Sequence, residues 1–388
     1  MLALHEAADG WLARVRVPGG RLAADALVAL AALSEELGNG LVDLTSRANV
    51  QLRGLAPDAA TALAPRLHAV GLLPSAAHDR ARNVLASPLA GRAPGALDDV
   101  DDVVALLDAE VSGTRLLSEL PGRFCFLVDD GTGAGREIRP DVTVLARGGG
   151  RFGVALDGRC LDFDGDGAAA VGVALRAAGA FVMARGDAWR LSETPGGAAA
   201  VAAAITIALA PVTRAARTRA YGPGVVQQRD GAIALTAHAP LGQLWPSLLR
   251  VLATLGDDVR LSTRRTVTLV DLDPAATDAT GATLAGAGLV LDDASGWVGL
   301  TACAGTAGCP RALADVRAAA ALRARVRAPT DPAEHWAACE RRCGEVPGTP
   351  VSVTVRDAGD VELRYDARTA LVSSLGGAAD RLRAEAAR

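Results

Sequence analysis

The sequence contains no lysine, and all 40 of its basic residues are arginine. The absence of lysine excludes a Schiff-base lysine and the lysine-dependent phosphate loop of nucleotide-binding proteins. Aromatic residues make up only 3% of the chain and the net charge is −4, which argues against binding to nucleic acid, because that surface needs basic charge and stacking rings. Any cationic anchor for a ligand must therefore be a guanidinium group.

The sequence also lacks the pattern of a secretion signal or a membrane span. Its N-terminal stretch has no basic region followed by an apolar run and a small-residue cleavage site. The apolar segments 168–184 and 198–210 are rich in alanine, and they are either interrupted by Arg176 or too short to cross a bilayer. We therefore expect both segments to be buried helices in a cytoplasmic protein without a membrane partner.

Two stretches of the chain repeat each other. Residues 44–55, LTSRANVQLRGL, align without gaps on residues 261–272, LSTRRTVTLVDL, and in the same register Pro57 meets Pro274. Each copy has the pattern strand, helix, strand, helix, and half of such a split βαβ fold cannot bury both faces of its sheet alone. We predict that the two copies pair about a pseudo-twofold axis into one mixed sheet, with chance similarity as the alternative.

A different unit separates the two copies. It shows a helical pattern at residues 100–109 and then short apolar segments between Gly-rich turns, which is typical of antiparallel strands. These strands are predicted at residues 124–129, 142–146 and 152–156, and a further strand pair is predicted at 351–356 and 360–364. The length of 388 residues and a hydrophobic content of 50% allow two to four structural units. The predicted domains are residues 1–80, 81–200, 222–298 and 299–388.

Four of the six cysteines form two pairs in the last predicted domain. Cys303 and Cys309 enclose five residues, and Cys339 and Cys343 enclose three. A C-x5-C loop and a C-x3-C helical turn can bring four thiolates to one centre, and we favour a [4Fe–4S] cluster there because zinc sites usually have tighter spacings. Zinc and two disulfides are the alternatives. His335, on the predicted helix or turn before Cys339, could face this centre, although a lone histidine is more often a core or surface residue.

Arginines recur at related points of the two copies. Arg47 and Arg53 lie in the first copy, Arg264 and Arg265 lie in the second, and Arg123 begins a predicted strand between them. If the copies pack about a pseudo-twofold axis, these guanidinium groups can converge on one cavity. Planar guanidinium groups bind carboxylates in a bidentate manner, so the cavity would suit a polycarboxylate ligand. Ordinary surface salt bridges are the alternative.

Several of these motifs resemble the sulfite/nitrite reductase superfamily, most closely its precorrin-3B synthase branch. Residues 44–55 are similar to a strand signature of that family, residues 83–91 (NVLASPLAG) and 120–124 (LPGRF) resemble its central-domain signatures, and the two cysteine pairs resemble its cluster ligands. The resemblance implies an α+β fold with a pseudo-twofold pair of ferredoxin-like half-domains and two sulfite/nitrite reductase-type α/β units. The second of these units would bind the [4Fe–4S] cluster.

The resemblance further implies a monooxygenase that converts precorrin-3A to precorrin-3B with dioxygen in aerobic cobalamin biosynthesis. NADH would be the electron source, acting through a donor protein or reductase, and the arginines would bind the tetrapyrrole carboxylates. The family also suggests a mononuclear non-haem iron, whose ligands the sequence does not reveal. A sirohaem-dependent sulfite or nitrite reductase is the second hypothesis, and an electron-transfer or tetrapyrrole-carrier protein is the third. The paired basic residues typical of sulfite reductases are here Gly122 and Arg123, which favours the monooxygenase.

Overall fold

The computed structural model describes residues 3–211, 221–357, 360–365 and 368–386. Within these residues the chain forms four five-stranded sheets, in the order half-domain, α/β domain, half-domain, α/β domain. Residues 212–220, which lie between the second and third predicted domains, are outside the described residues. The fold is mixed α+β, as the sequence predicted.

The first half-domain contains two long strands and two helices. Helix α1 is amphipathic, because its buried residues Ala26, Leu27, Leu30 and Leu33 recur at helical spacing and face the sheet. The elements are β1 Leu4–Ala7, β2 Gly10–Val15, β3 Arg21–Leu22, α1 Ala24–Leu37, β4 Val42–Leu44, β5 Val50–Leu55 and α2 Ala60–Ala69.

The central α/β domain follows. Its elements are β6 Val84–Ala86, α3 Asp101–Gly113, β7 Phe126–Asp129, β8 Val142–Gly148, β9 Arg151–Leu156, β10 Arg159–Cys160, α4 Gly167–Ala184 and α5 Gly197–Ala204. The sheet order is β10-β9-β8-β7-β6, with β6, β7 and β8 parallel and β9 antiparallel to β8. The prediction of antiparallel strands was therefore wrong for β7 and β8, because residues 130–141 form a crossover connection long enough to return the chain in the same direction.

Helix α4 is long and apolar enough to cross a membrane by length and composition alone. It packs against β8 and β9 and buries Val171, Ala174, Ala178 and Phe181 in the core of the central domain. This packing identifies α4 as a core helix. In the second apolar segment only Gly197–Ala204 is helical, so that prediction was too long.

The second half-domain has the same order of elements as the first. These are β11 Gly224–Gln227, β12 Ile233–His238, β13 Gln243–Leu244, α6 Pro246–Leu255, β14 Val259–Leu261, β15 Thr266–Leu272 and α7 Thr277–Gly286. Helices α1 and α6 pack against each other, and one hydrophobic core runs through both half-domains. The two copies therefore stabilise each other.

The half-domains form two antiparallel sheets, so the prediction of one mixed sheet was wrong. Their strand orders are β1-β2-β5-β4-β13 and β11-β12-β15-β14-β3. Each half-domain thus lends one short edge strand to the other: β3 pairs with β14, and β13 pairs with β4. Gly20 precedes β3 with a φ of +70°, and a Cβ atom there would lie 2.3 Å from the carbonyl oxygen of Leu261, so this close approach requires glycine.

The last α/β domain repeats the topology of the central domain. Its elements are β16 Leu300–Ala302, α8 Val316–Ala324, β17 Glu334–Ala337, β18 Val351–Asp357, β19 Asp360–Tyr365, β20 Arg368–Val372 and α9 Leu375–Ala386. Strands β16, β17 and β18 are parallel, and β19 and β20 are antiparallel, as in the central sheet. The duplication therefore extends beyond the half-domains, and β18 and β19 correspond to the predicted strand pair.

Backbone conformation supports the repeat independently of residue type. At equivalent positions of the two copies φ is positive in both. The residue types differ in two pairs, Ala48 (+52°) with Arg265 (+59°) and Gly54 (+68°) with Asp271 (+59°), and both residues are glycine in the third, Gly20 (+70°) with Gly242 (+73°). Left-handed backbone is uncommon for residues other than glycine. Chance similarity of two alanine-rich segments does not explain such a correspondence.

Candidate functional site

The four paired cysteines lie in two loops at one edge of the last sheet. Cys303 and Cys309 follow β16, and Cys339 and Cys343 follow β17. Because β16 and β17 are adjacent and parallel, both loops leave the sheet at the same edge. The backbone N–H of Ala338 donates to Cys303 Sγ at 3.2 Å, which joins the two loops. The predicted helical turn between Cys339 and Cys343 is a non-helical turn closed by one hydrogen bond, from the Arg342 N–H to the Cys339 carbonyl, at 3.2 Å.

The structure brings these four thiols within electrostatic reach of one another. Burial raises the pKa of Cys343, and the thiols of Cys303, Cys339 and Cys309 raise it further, because neighbouring thiolate charges repel. The described cysteines are all free thiols. An all-sulfur donor set in two loops fits an iron–sulfur cluster.

Four cysteine thiolates can also bind a single metal ion. In a tetrahedral zinc site with Zn–S bonds of about 2.3 Å, the sulfur atoms are about 3.8 Å apart. Among the described residues no group of three or more His, Cys, Asp or Glu side chains is arranged to hold one ion. The described residues therefore give no ligand set for the mononuclear iron that the family resemblance suggests, and the choice between zinc and a cluster rests on the spacing of the cysteines.

His335 lies on strand β17 and not on a helix or turn. Its ring is fully buried, and Nδ1 is 2.8 Å from the hydroxyl of Thr301. Burial and the nearby Arg265 guanidinium lower the pKa of His335 to about 3, against an opposing effect of the Cys343 backbone. Nε2 has no hydrogen-bond partner within the described part of the chain. His335 is therefore a neutral core residue beneath the Cys343 loop.

The five predicted ligand-binding arginines lie in three places. Arg53 and Arg265 lie against the cysteine loops: Arg53 Nη2 donates to the Gly308 carbonyl at 2.5 Å, and Arg265 Nη2 donates to the Gly344 carbonyl at 3.4 Å. Arg47, in the first half-domain, and Arg123, in the central domain, are within electrostatic reach of each other. Arg264 lines a separate small cleft with Glu137 and Tyr221.

The second of these places holds more arginines than the sequence analysis selected. Burial, followed by the charge of Arg47, lowers the pKa of Arg16 to about 10, and Arg14 contributes in the same direction. Burial lowers the pKa of His5, and the positive charges of Arg14, Arg80 and Arg16 lower it further. We call Arg14, Arg16, Arg47, Arg80 and Arg123 the arginine cluster. The Arg-x-Arg spacing on and after β2 places Arg14 and Arg16 on one face of the strand, and this was a signal that sequence analysis could have used.

Most of the arginine cluster is unpaired. Among the described residues, the guanidinium groups of Arg14, Arg47, Arg80 and Arg123 have no hydrogen bond or ion pair, whereas buried Arg16 donates to Asn83 Oδ1 at 3.0 Å and to the Gly122 carbonyl at 2.8 Å. Several unpaired cations at close range create a site for anions.

The arginine cluster extends from the cysteine loops to the central domain. At one end, Arg14 is within electrostatic reach of Cys343, although partial burial is the first cause of its lowered pKa. At the other end, burial raises the pKa of Cys125 to about 12 despite the opposing charge of Arg47. An anion in this region would therefore contact guanidinium groups beside a neutral thiol and close to the cysteine loops.

Comparison with known proteins supports the assignment of the half-domain. Residues 5–70 match the family described as "Nitrite/Sulfite reductase ferredoxin-like half domain". The first half-domain is therefore similar to the ferredoxin-like half-domain of nitrite and sulfite reductases. This half-domain carries Arg14, Arg16, Arg47 and Arg53.

Two curated proteins resemble longer parts of the chain. A ferredoxin–nitrite reductase from Synechococcus elongatus is 33% identical over 127 residues, which are 31% of this chain and 25% of that protein. A precorrin-3B synthase from Sinorhizobium sp is 33% identical over 147 residues, which are 38% of this chain and 27% of that protein. The matches thus cover about a quarter of the length of each curated relative.

The fold also resembles a solved structure. The Mycobacterium tuberculosis NirA protein aligns with a TM-score of 0.77 and 19% sequence identity, over 96% of this chain and 79% of that chain. This likeness supports the α+β architecture with ferredoxin-like half-domains and extends over both α/β domains.

Proposed function

We propose that the protein is an oxidoreductase acting on a tetrapyrrole, and specifically that it converts precorrin-3A to precorrin-3B with dioxygen and electrons from NADH. The observation that carries the proposal is the unpaired arginine cluster beside the four-cysteine loops. Precorrin-3A has many carboxylates, and guanidinium groups without internal partners are available to bind them. The likeness to a precorrin-3B synthase over 38% of the chain supports the same conclusion.

In this proposal the cysteines would bind the cluster and the arginines would bind the substrate. Cys303, Cys309, Cys339 and Cys343 would hold a [4Fe–4S] cluster, which supplies one-electron transfer when bound. Arg47 and Arg123 would fix the orientation of the macrocycle through its carboxylates, and Arg14 would do so near Cys343. The buried thiol of Cys125 is neutral and adds no negative charge near Arg47, whereas the carboxylate of Asp141 lies within electrostatic reach of that guanidinium.

A sirohaem-dependent nitrite or sulfite reductase is the second candidate. It is supported by the ferredoxin–nitrite reductase, whose identity to this chain is also 33%. The arginine cluster could bind the carboxylates of sirohaem in the same way. Gly122 and Arg123 in place of paired basic residues favour the monooxygenase, because a reductase needs cations to bind and protonate an oxyanion.

Spectroscopy and turnover separate the candidates. For the monooxygenase, we expect protein purified without oxygen to contain iron and labile sulfide and to show a broad absorption shoulder without haem bands. It should then convert precorrin-3A in air and not under nitrogen. Sirohaem bands together with nitrite or sulfite reduction would establish the second candidate, and a cluster-containing protein with neither activity would be an electron-transfer or carrier protein.

Cysteine substitution tests the proposed cluster ligands. Cys339→Ser should remove most of the iron, sulfide and visible absorption, because one of four thiolate ligands is lost. Cys160→Ser is the matched control, since Cys160 lies on β10 in the other α/β domain. Unchanged iron and sulfide content in the Cys339 variant would refute the ligand assignment.

Arginine substitution tests the proposed binding surface. Arg47→Ala should weaken tetrapyrrole binding by about 1–3 kcal/mol if the guanidinium pairs with a carboxylate. Arg66→Ala should leave affinity unchanged, because Arg66 forms an exposed ion pair with Glu36 on the helices of the first half-domain. Equal affinities of the two variants, measured by titration of absorbance, would remove Arg47 from the binding surface.

A further inference from the structure

Two arginines hold the Cys303–Cys309 loop by its backbone carbonyl groups. Arg53, on β5 of the first half-domain, donates from Nη2 to the Gly308 carbonyl at 2.5 Å. Arg317, in the first turn of α8, donates from Nε to the Cys303 carbonyl at 3.3 Å. Each guanidinium thus contacts a residue that is a cysteine of the proposed cluster site or its immediate neighbour.

Both arginines are oriented by carboxylates of the first half-domain. Arg53 pairs with Asp9 through Nε at 3.0 Å and Nη2 at 2.9 Å. Arg317 Nη2 is 3.1 Å from both carboxylate oxygens of Asp43, and Arg53 Nε is 3.8 Å from Asp43. Arg53 and Asp43 are 5% and 6% exposed, so these ion pairs are shielded from water and hold the guanidinium planes in place.

Glycine at position 308 matches this arrangement. A Cβ atom there would lie 3.0 Å from Cζ of Arg53. The backbone of Gly308 is not left-handed, so the need for glycine arises from the packed guanidinium. The loop and the half-domain are therefore fitted to each other at this point.

We propose that Arg53 and Arg317 are positioning residues that fix the Cys303–Cys309 loop against the first half-domain and raise the reduction potential of the cluster held there. The inference rests on the proposed four-cysteine cluster, and it gives Arg53 a different role from substrate binding. A positive charge close to a cluster favours its more reduced, more negative form. Because Asp9 and Asp43 belong to the half-domain, the half-domain also controls the geometry of the loop.

The first test measures amide hydrogen exchange in the full-length protein, a readout that does not depend on the reactivity of the cluster. In Arg53→Met, amide hydrogen exchange of residues 304–308 should become about tenfold faster, because one hydrogen bond from a charged donor is lost. Arg66→Met is the control and should exchange like the wild type. In addition, Gly308→Ala should accelerate exchange strongly in the wild-type background and much less in Arg53→Ala, where the clashing guanidinium is absent.

The second test measures the midpoint potential of the cluster-containing protein. Arg53→Met should shift the potential downward. Arg53→Lys should keep a potential close to the wild-type value, because lysine retains the positive charge. Amide hydrogen exchange of the loop should nevertheless be faster in Arg53→Lys, because lysine cannot make the paired hydrogen bonds of the guanidinium. Should Arg53→Met fail to fold, Arg53→Lys still tests the loop. The inference would be overturned if the wild-type protein contains iron and sulfide but amide hydrogen exchange of the loop is unchanged in both Arg53→Met and Arg53→Lys. A wild-type protein without iron and sulfide would instead overturn the proposed function.

Discussion

The ion pair between Arg260 and Asp101 offers the most direct test of how the domains are held together. Arg260 lies on β14 of the second half-domain and is 1% exposed. Its Nη1 and Nη2 donate to the two carboxylate oxygens of Asp101, in the first turn of α3, at 2.7 and 2.8 Å. It also donates to Asp258 at 2.5 and 2.6 Å. Arg260→Met would remove the charge and keep much of the apolar volume.

The expected loss in the free energy of unfolding depends on the partners that the carboxylates of Asp101 and Asp258 retain in the variant. Removing one partner from a buried ion pair typically costs about 3–5 kcal/mol. Here the side chains of Asp101 and Asp258 are 20% and 17% exposed, and they retain Arg92 at 3.0 Å and Arg21 at 3.2 Å. Because water and these partners still stabilise both carboxylates, we expect a loss of about 2–3 kcal/mol in the free energy of unfolding.

Urea unfolding followed by circular dichroism measures this loss against a matched control. Arg250→Met breaks an ion pair with Glu35 that joins the two half-domains, and both of its side chains are 45% exposed. An exposed pair contributes at most about 1 kcal/mol, so the control should unfold near the wild-type midpoint. Equal losses in the two variants would refute the argument that burial of Arg260 makes its ion pair important.

Two further changes test the backbone and the buried histidines. Gly20→Ala should destabilise the protein by more than the roughly 1 kcal/mol of backbone strain expected for Gly40→Ala. Both glycines have positive φ, but a Cβ atom at position 20 would lie 2.3 Å from the Leu261 carbonyl oxygen, whereas one at position 40 would meet no atom within 4 Å. Thermal unfolding of the two variants measures the difference. Burial, aided by Arg265, lowers the pKa of His238 to about 4. Between pH 6.5 and pH 4 the unfolded chain therefore binds a proton that the folded chain does not bind. The contribution of neutral His238 to the free energy of unfolding is present above pH 6.5 and is lost as the pH falls towards 4. His238→Gln should therefore lose about 3 kcal/mol less than the wild type between pH 7 and pH 4, and parallel urea-stability profiles of the two proteins would contradict this.

The repeat of the half-domains could be predicted because it leaves a mark in the sequence itself. Residues 44–55 and 261–272 keep their apolar positions in one register. The duplication of the α/β domains leaves no such mark, since the loops after β6 and β16 serve different purposes: one contains Pro88 and Gly91, and the other contains the first cysteine pair. Parallel pairing also escaped prediction, because a loop of a dozen residues can serve a turn or a crossover equally well.

The candidate site was only partly accessible to sequence reasoning. The cysteine pairs are local features, and only the parallel pairing of β16 and β17 brings them to one sheet edge. The roles of the arginines depend on distant partners. Arg53 finds Asp9 and the Gly308 carbonyl, whereas Arg47 finds no partner among the described residues, and the residues beside each in sequence do not distinguish these environments.

A reversal of charge between the two copies accounts for much of the asymmetry of the molecule. Asp43 on β4 and Arg260 on β14 occupy equivalent positions, one residue before the aligned segments. Asp43 forms an ion pair with Arg317 in the first turn of α8, and Arg260 forms one with Asp101 in the first turn of α3. Helices α8 and α3 occupy equivalent positions in the two α/β domains. Exchanging the two α/β domains would bring Asp43 against Asp101 and Arg260 against Arg317. Like charges in such shielded positions are strongly unfavourable, so the same contacts that stabilise this arrangement exclude the other. They also direct the cysteine loops to the half-domain that carries Arg14, Arg16, Arg47 and Arg53.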